Sequence, residues 1–444
     1  MKPNLFFFIL IIFIKCQCSD GIETLELVET TSGFYTVNTR IGTPFYDYPL
    51  LLSTYHCYSI VADIWLEQFN YTEWVVPQYF NSSKSFTFST TFQSWYMYTS
   101  TDLYQFSILI EASRDTISFI DNMIFNAQRF FQINDISNNT ESFRLFNHSS
   151  GLFGLGNPKL CDGISILYNT LNTMKRENGS KDGFGIDFKN KELHVGGFKP
   201  KEGKGIYWGE KQLKSDDIFY EFTLFHFSVC GADLMYNDTS FLFGRIDTLS
   251  KCLSIPFFLV DSKLTSWLPL NCEGEYCRYV GKEPLDVDHL PSLIFQLSEK
   301  GSKFQIPLKS LYLGNDKFCI ITRKSVDYFT FGVMAMKNLY LAVNLQSRRI
   351  GFADYYSDAS DNSLCAIKPD CFGSQIYYPP NNLCINPDCE KWFYSVDEET
   401  MTCKVNLSFM IIIYLLIFAF FLVEFYIQIQ KKKTINSIKN KKRD

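Results

Sequence analysis

The sequence predicts an all-β, two-lobed body, then a small cysteine-rich module, then one C-terminal membrane-spanning helix. Three observations lead there. From Gly33 to Asp354, short β-branched and aromatic runs such as "FYTVNTRIGTP", "ELHVGGF" and "LYLAVNLQSRRIGFA" are broken by Gly, Pro, Asn and Asp, which is the rhythm of strands and turns. The body also echoes itself. "LLLSTY" is followed 101 residues after Ser53 by Gly154 of "GLFGLG", and "GRIDTL" is followed 85 residues after Asp247 by Gly332 of "FTFGVM". Two similar lobes facing across a cleft explain such a repeat. Beyond Asp354 the composition changes, with five cysteines between Cys365 and Cys403 and then a long apolar run.

The elements follow in order. Residues 1–18 read as a secretory signal peptide, because Lys2 precedes an apolar run from Leu5 to Ile14 that is too short to span a bilayer. Residues 19–200 and 201–356 are the expected lobes. Within the first, "DGISILYNTLNTMKREN" reads as a helix with Ile164, Leu167, Tyr168 and Leu171 on one face. It is expected to lie on the sheet surface with no chemistry of its own. Residues 357–404 form the module. It is too short for a sizeable core, so disulfides hold it. Its C-x5-C and C-x4-C spacings do not match a zinc site. Residues 407–428 are the membrane helix, about 20 apolar residues long with Glu424 near one end. Residues 429–444 are a basic tail, and its positive charge places it on the cytoplasmic side of a single-pass type I protein.

Charge and cysteine usage narrow the class. The net charge is −5, yet the tail from Lys431 carries seven basic residues and Asp444, and the leader carries Lys2 and Lys15. Removing the tail's +6 and the leader's +2 leaves −13 for the remainder. A body that acidic argues against nucleic acid as a partner. Of 14 cysteines, 12 remain after the leader, an even number that reads as disulfides in a secreted chain. Sequons at Asn70, Asn81, Asn138, Asn147, Asn178 and Asn237 are expected glycosylation sites, and a seventh at Asn406 lies against the membrane. The chain ends "KKRD". Lys441 and Lys442 resemble a dilysine address that a retrieval coat reads, so the endoplasmic reticulum and the cell surface are both expected locations.

Five motifs then point to a family. "YTVNTRIGTPFYDYPLLLSTYH" at 35–56, "SGLFGLG" at 150–156, "IDTLSK" at 246–251, "LPSLIF" at 290–295 and "FGVMAMKNLYLAVNLQSRRIGFA" at 331–353 stand in order and at sensible spacing. Together they resemble the pepsin-like aspartic proteases (the peptidase A1 fold) from Phe34 to Asp354. The resemblance implies a bilobal pepsin-like fold, two catalytic aspartates facing each other, and no cofactor or metal. It also implies that Thr54 and Thr248 form a buried hydrogen-bonded grip between the lobes.

The departures fall on the catalytic turns. The first aspartate of the family's pair aligns with Ser53, the Gly two residues on with Tyr55, and the following Ser with His56. In the second lobe Asp247 and Thr248 match, but the Gly aligns with Leu249 and the Asp of "L-G-D" with Val333. The flap tyrosine has no clear counterpart, Tyr98 and Tyr104 being the candidates. The family's chemistry needs two carboxylates sharing one proton, one acting as base toward water and the other as acid toward the carbonyl. Asp247 alone cannot fill both roles. Tyr55 and Leu249 put side chains where glycines leave room for water and substrate. A Ser53, His56 and Asp247 triad is disfavoured, because the order would place Ser53 between the other two.

The expectation is therefore a membrane-anchored pseudoprotease that binds a peptide or protein without cleaving it. The alternatives are a weak or atypical endopeptidase using Asp247, and a structural or sorting protein with an occluded cleft. Among the cysteines, the resemblance suggests a Cys272–Cys319 disulfide, with Cys277 competing for Cys319. The body holds seven cysteines and the module five. Either one bridge joins them or two thiols stay free. Cys57 either pairs or serves as a small buried hydrophobe.

Overall fold

The computed structural model describes residues 21–444 apart from 70–74, 101–104, 121–122, 137–146, 162–163, 202, 212, 214–217, 219, 236–240, 273–275, 325–326, 356–363, 390–392 and 442–444. The proposed signal peptide therefore lies outside the described residues, as do Asn70, Asn138, Asn237, Tyr104 and Lys442. The chain divides into two compact units, residues 1–366 and 367–444.

The first unit is the predicted β body. Its first lobe contains β1 (Glu23–Glu29), β2 (Tyr35–Ile41), β3 (Tyr46–Ser53), β4 (Ile60–Ala62), β5 (Ser89–Ser100), β6 (Gln105–Ile120), β7 (Met123–Ile136) and β8 (Gly151–Gly154). Thirteen described strands make one sheet. Its order is Tyr207–Trp208, Arg349–Asp354, Leu339–Asn344, Gly183–Asp187, Glu192–Val195, β1, β2, β3, β8, β4, β7, β6, β5. The strands nearest the C-terminal end of the body thus pair with the first-lobe strands, and the lobes share a sheet. A second sheet runs Lys303–Pro307, Ser292–Gln296, Tyr220–Val229, Leu242–Ile246, Tyr328–Phe331, Leu253–Pro256, Ile320–Arg323, with Ala232–Asp233 beside Tyr220–Val229.

The internal echo has a structural cause. β3 runs parallel to β8, with Ser53 opposite Gly154, and β8 is flanked on its other side by β4. In the second lobe Leu242–Ile246 runs parallel to Tyr328–Phe331, which Leu253–Pro256 flanks. In each lobe a strand enters a turn and the chain returns beside a strand from much later. The glycines mark where that later strand crosses the turn. A Cβ on Gly154 would sit 2.4 Å from the Tyr58 carbonyl, and one on Gly332 would sit 2.3 Å from the Cys252 carbonyl. The last four residues of β3, Leu50 to Ser53, are all buried. Both of its faces are covered there, so the sequence reads as an apolar run rather than an alternation.

The predicted helix forms as α1 (Ile166–Asn178), capped by the Ser165 side chain on the Tyr168 N–H and ended by Gly179 in the left-handed region. Its buried face differs from the expected one. Leu167, Thr170, Leu171 and Met174 are buried and Tyr168 is exposed. The i, i+3, i+4, i+7 stripe begins at Leu167, which turns position 168 outward.

Six disulfides form among the described residues, and they correct the expected pairing. Cys272 bonds Cys277, and Cys319 bonds Cys252. Strands Leu253–Pro256 and Ile320–Arg323 run parallel with Leu253 opposite Ile320. The residues just before them, Cys252 and Cys319, are therefore neighbours at a Cα separation of 4.6 Å. Cys272 is left to the nearby Cys277, where Leu270–Asn271 pairs with Cys277–Tyr279. Cys57 pairs with Cys161, and Cys230 with Cys365, so one bridge ties the body to the first cysteine of the predicted module.

In the second unit two hairpins each carry a disulfide. Ile376–Tyr378 pairs with Leu383–Ile385 beside Cys371–Cys384, and Tyr394–Asp397 pairs with Thr402–Val405 beside Cys389–Cys403. A helix Leu407–Lys441 follows, and its span from Leu407 to Lys433 is apolar and long enough to cross a bilayer. The Asn406 side chain accepts the Phe409 N–H at its start.

Candidate active site

The two turns of the echo meet at the middle of the body. The Thr54 N–H donates to Thr248 Oγ1 at 3.0 Å, and the Thr248 N–H donates to Thr54 Oγ1 at 3.2 Å. Each hydroxyl then donates to a carbonyl of the opposite lobe, Thr54 to Ile246 at 3.1 Å and Thr248 to Leu52 at 2.7 Å. All four bonds are buried. The resemblance anticipated this grip, and it brings Ser53 and Asp247, each one residue before a gripping threonine, to equivalent places.

The second-lobe turn is built around a carboxylate. Asp247 is 5 % exposed. Its Oδ1 accepts the Leu249 N–H at 2.9 Å, and its Oδ2 accepts the Ser250 hydroxyl at 2.7 Å. Leu249 is fully buried. Val333, where the family has an aspartate, is also buried and donates its N–H to the Ser250 carbonyl at 2.9 Å.

The first-lobe turn is built around an imidazole. Ser53 is fully buried, accepts the His56 N–H at 3.1 Å, and lies 2.7 Å from His56 Nδ1. The ring is wrapped in aromatics. Tyr55 packs edge-on at 4.7 Å between centroids, and Tyr58 lies at 5.8 Å and itself meets Phe131 at 4.8 Å. Burial pushes the His56 pKa down to about 3, so the ring is neutral in the fold. The neutral ring shares a hydrogen bond with the Ser53 hydroxyl through Nδ1, which closes the turn on itself. Cys57–Cys161 backs it.

The rest of the lobe frames this site. β5 and β6 form a hairpin, with Ser100 opposite Gln105, in the stretch where the flap was sought. Residues 101–104, which follow β5 in the chain, and the Tyr98 side chain lie outside what the structure describes.

A family model for eukaryotic aspartyl proteases matches residues 34–355. This chain belongs to the eukaryotic aspartyl protease family. No curated protein matches it. In aspartyl-protease terms the chain keeps the threonine grip, both crossing glycines and Asp247. The threonines join the two turns, while Ser53, Tyr55 and His56 meet within the first and Asp247, Leu249, Ser250 and Val333 meet around the second. Sequence reasoning set Ser53 beside His56 only within the disfavoured triad, and it missed the partnership of Asp247 with Ser250. Both are i, i+3 pairs inside a turn, and that spacing was the available signal.

Proposed function

We infer that this aspartyl-protease relative is a pseudoprotease that binds a peptide or protein between its lobes without hydrolysing it. The carrying observation is the Ser53–His56 hydrogen bond, which occupies the place of the first catalytic carboxylate. The family's chemistry divides acid and base roles between two carboxylates, and Ser53 aligns with the first of them. His56 is no substitute. A buried imidazole with a pKa of about 3 is a feeble general base, and the serine it contacts is itself buried. Loss of one group from a cooperating catalytic unit removes most of its rate enhancement. The retained grip and the β5–β6 hairpin support a binding role for the two-lobed scaffold.

The apolar span, the six disulfides and the basic residues after Ile429 support a single-pass membrane protein of the secretory pathway with the body in the lumen or outside the cell. Glycans at Asn81, Asn147 and Asn178, and coat recognition of Lys441 and Lys442, belong to the same proposal.

The test is a mixed-sequence peptide library incubated with the full-length protein in detergent micelles between about pH 3 and pH 7. Peptides are expected to be retained by the protein and recovered intact. Cleavage products that vanish in Asp247→Ala would overturn the reading in favour of an endopeptidase. Neither retention nor cleavage would favour a structural or sorting role.

A further inference from the structure

A surface pocket of about 560 Å³ opens between β6, β7 and α1, on residues that the two turns do not use. Three arginines line it, Arg114, Arg129 and Arg176, and among the described residues no aspartate or glutamate does. That is unusual on a body whose net charge is so acidic. We propose that this pocket binds the phosphate or sulfate ester of a small sugar ligand.

The strand register carries the first part of the argument. Arg114 on β6 stands directly opposite Arg129 on β7. Like charges facing across an antiparallel pair destabilise the sheet, so the arrangement makes sense where an anion lies between them. Arg114 Nε is shielded from solvent and has no hydrogen-bond partner within the protein. The acidic residue next to Arg114 is already engaged elsewhere. Its Oδ1 accepts from Ser85 at 2.9 Å, Thr87 at 2.5 Å and the Thr116 N–H at 2.7 Å, its Oδ2 is buried without a hydrogen-bond partner among the described residues, and Asp115 does not line the pocket.

The wall is held in place before any ligand arrives. Gln128 is buried at the floor. Its amide donates to the carbonyls of Arg129 at 3.1 Å and Ile164 at 3.0 Å, and its oxygen accepts the Asn169 amide at 2.7 Å. That one side chain pins β7 to α1. Along α1, Asn169, Asn172, Thr173 and Arg176 recur at i, i+3, i+4, i+7, a polar stripe beside the apolar one that packs on the sheet. The helix thus has a use beyond covering the sheet.

The chemistry selects the ligand class. Guanidinium groups match a tetrahedral oxyanion through paired N–H donors, and charge-assisted bonds of this kind are about twice as strong as neutral ones. Asn126 and Asn172 bring amides for sugar hydroxyls, the Thr173 hydroxyl, which donates to the Asn169 carbonyl at 3.0 Å, can still accept, and Phe125 lines the pocket beside them.

The full-length protein in detergent is titrated with glucose 6-phosphate, glucose 6-sulfate, glucuronate and glucose at matched ionic strength, and its melting temperature is followed. One or both esters are expected to raise it saturably, and glucose is expected not to. Saturation by the phosphate alone assigns a phosphate ester, and saturation by the sulfate alone a sulfate ester. Arg129→Gln and Arg176→Gln change exposed side chains, and each is expected to weaken the apparent affinity by roughly tenfold or more. Unliganded Arg129→Gln is expected to melt no lower than wild type, since it relieves the facing charges. Stabilisation that is absent, that chloride reproduces, or that survives in the Arg129→Gln/Arg176→Gln double variant would overturn the proposal. None of these outcomes depends on whether the protein cleaves peptides.

Discussion

The turns at Ser53 and Asp247 share a backbone path, a crossing glycine and a gripping threonine, yet each is closed by different chemistry. In one, a carboxylate takes the Ser250 hydroxyl; in the other, a serine hydroxyl meets the His56 imidazole. Symmetry between the lobes is therefore a property of the scaffold, and reactivity is a property of two positions in each turn. The first of each pair, Ser53 or Asp247, decides whether a carboxylate is present. The second, His56 or Ser250, decides what satisfies it. The scaffold does not depend on the carboxylate, because the threonines bind main-chain groups of the opposite lobe and make no use of residue 53 or 247.

The scaffold half of that comparison is broken most severely through the grip. Thr248→Val keeps the shape and removes the hydroxyl, which strands the Leu52 carbonyl and the Thr54 N–H in the interior. At roughly 1–3 kcal/mol for each buried unsatisfied group, a loss of about 4 kcal/mol is expected. Thr54→Val is expected to cost the same within error, because its bonds mirror those of Thr248. Unequal losses in denaturant unfolding would show that the grip is not symmetric.

Acid sharpens the difference between the turns. Folded His56 stays neutral down to about pH 3, while its ordinary value is 6.5. The unfolded chain therefore binds a proton that the folded one refuses. Stability from this group is fully present above pH 6.5 and is lost as the pH falls. The loss is about 3 kcal/mol between pH 6.5 and pH 4. His56→Asn, which keeps a hydrogen-bonding atom near Ser53, is expected to flatten this dependence in thermal melts. Parallel melting curves for the two proteins across that range would contradict the burial argument. A turn that weakens in acid is also poorly suited to a protease of acidic compartments.

The smallest expected effect concerns the missing group itself. Ser53→Asp alone is expected to produce no measurable peptide cleavage, because Tyr55 and Leu249 remain where the family has glycines. Cleavage by Ser53→Asp in the library assay would mean that the carboxylate was the only thing lost, and that space was never limiting.

Much of this was legible in order along the chain. "RIGTP" sets the register in which Ser53 aligns with the family's first aspartate, and the spacings from Ser53 to Gly154 and from Asp247 to Gly332 announced the paired parallel strands. Tyr168 was misplaced because a short amphipathic stripe can be phased more than one way until the sheet beneath it selects a face. The Cys272–Cys319 pairing failed for a similar reason. Sequence distance does not report which strands lie side by side, and the parallel register of Leu253 with Ile320 gave Cys319 to Cys252.

By itself the sequence determined the all-β body, the long apolar C-terminal helix and the family's motifs, because each is local or has a fixed period or spacing. Only the tertiary structure decided that His56 turns inward onto Ser53 and loses its basicity, that Asp247 is held by Ser250, and that Arg114, Arg129 and Arg176 meet at one pocket. Those outcomes depend on burial and on contacts between strands and helices far apart in the chain, which no local pattern of residues encodes.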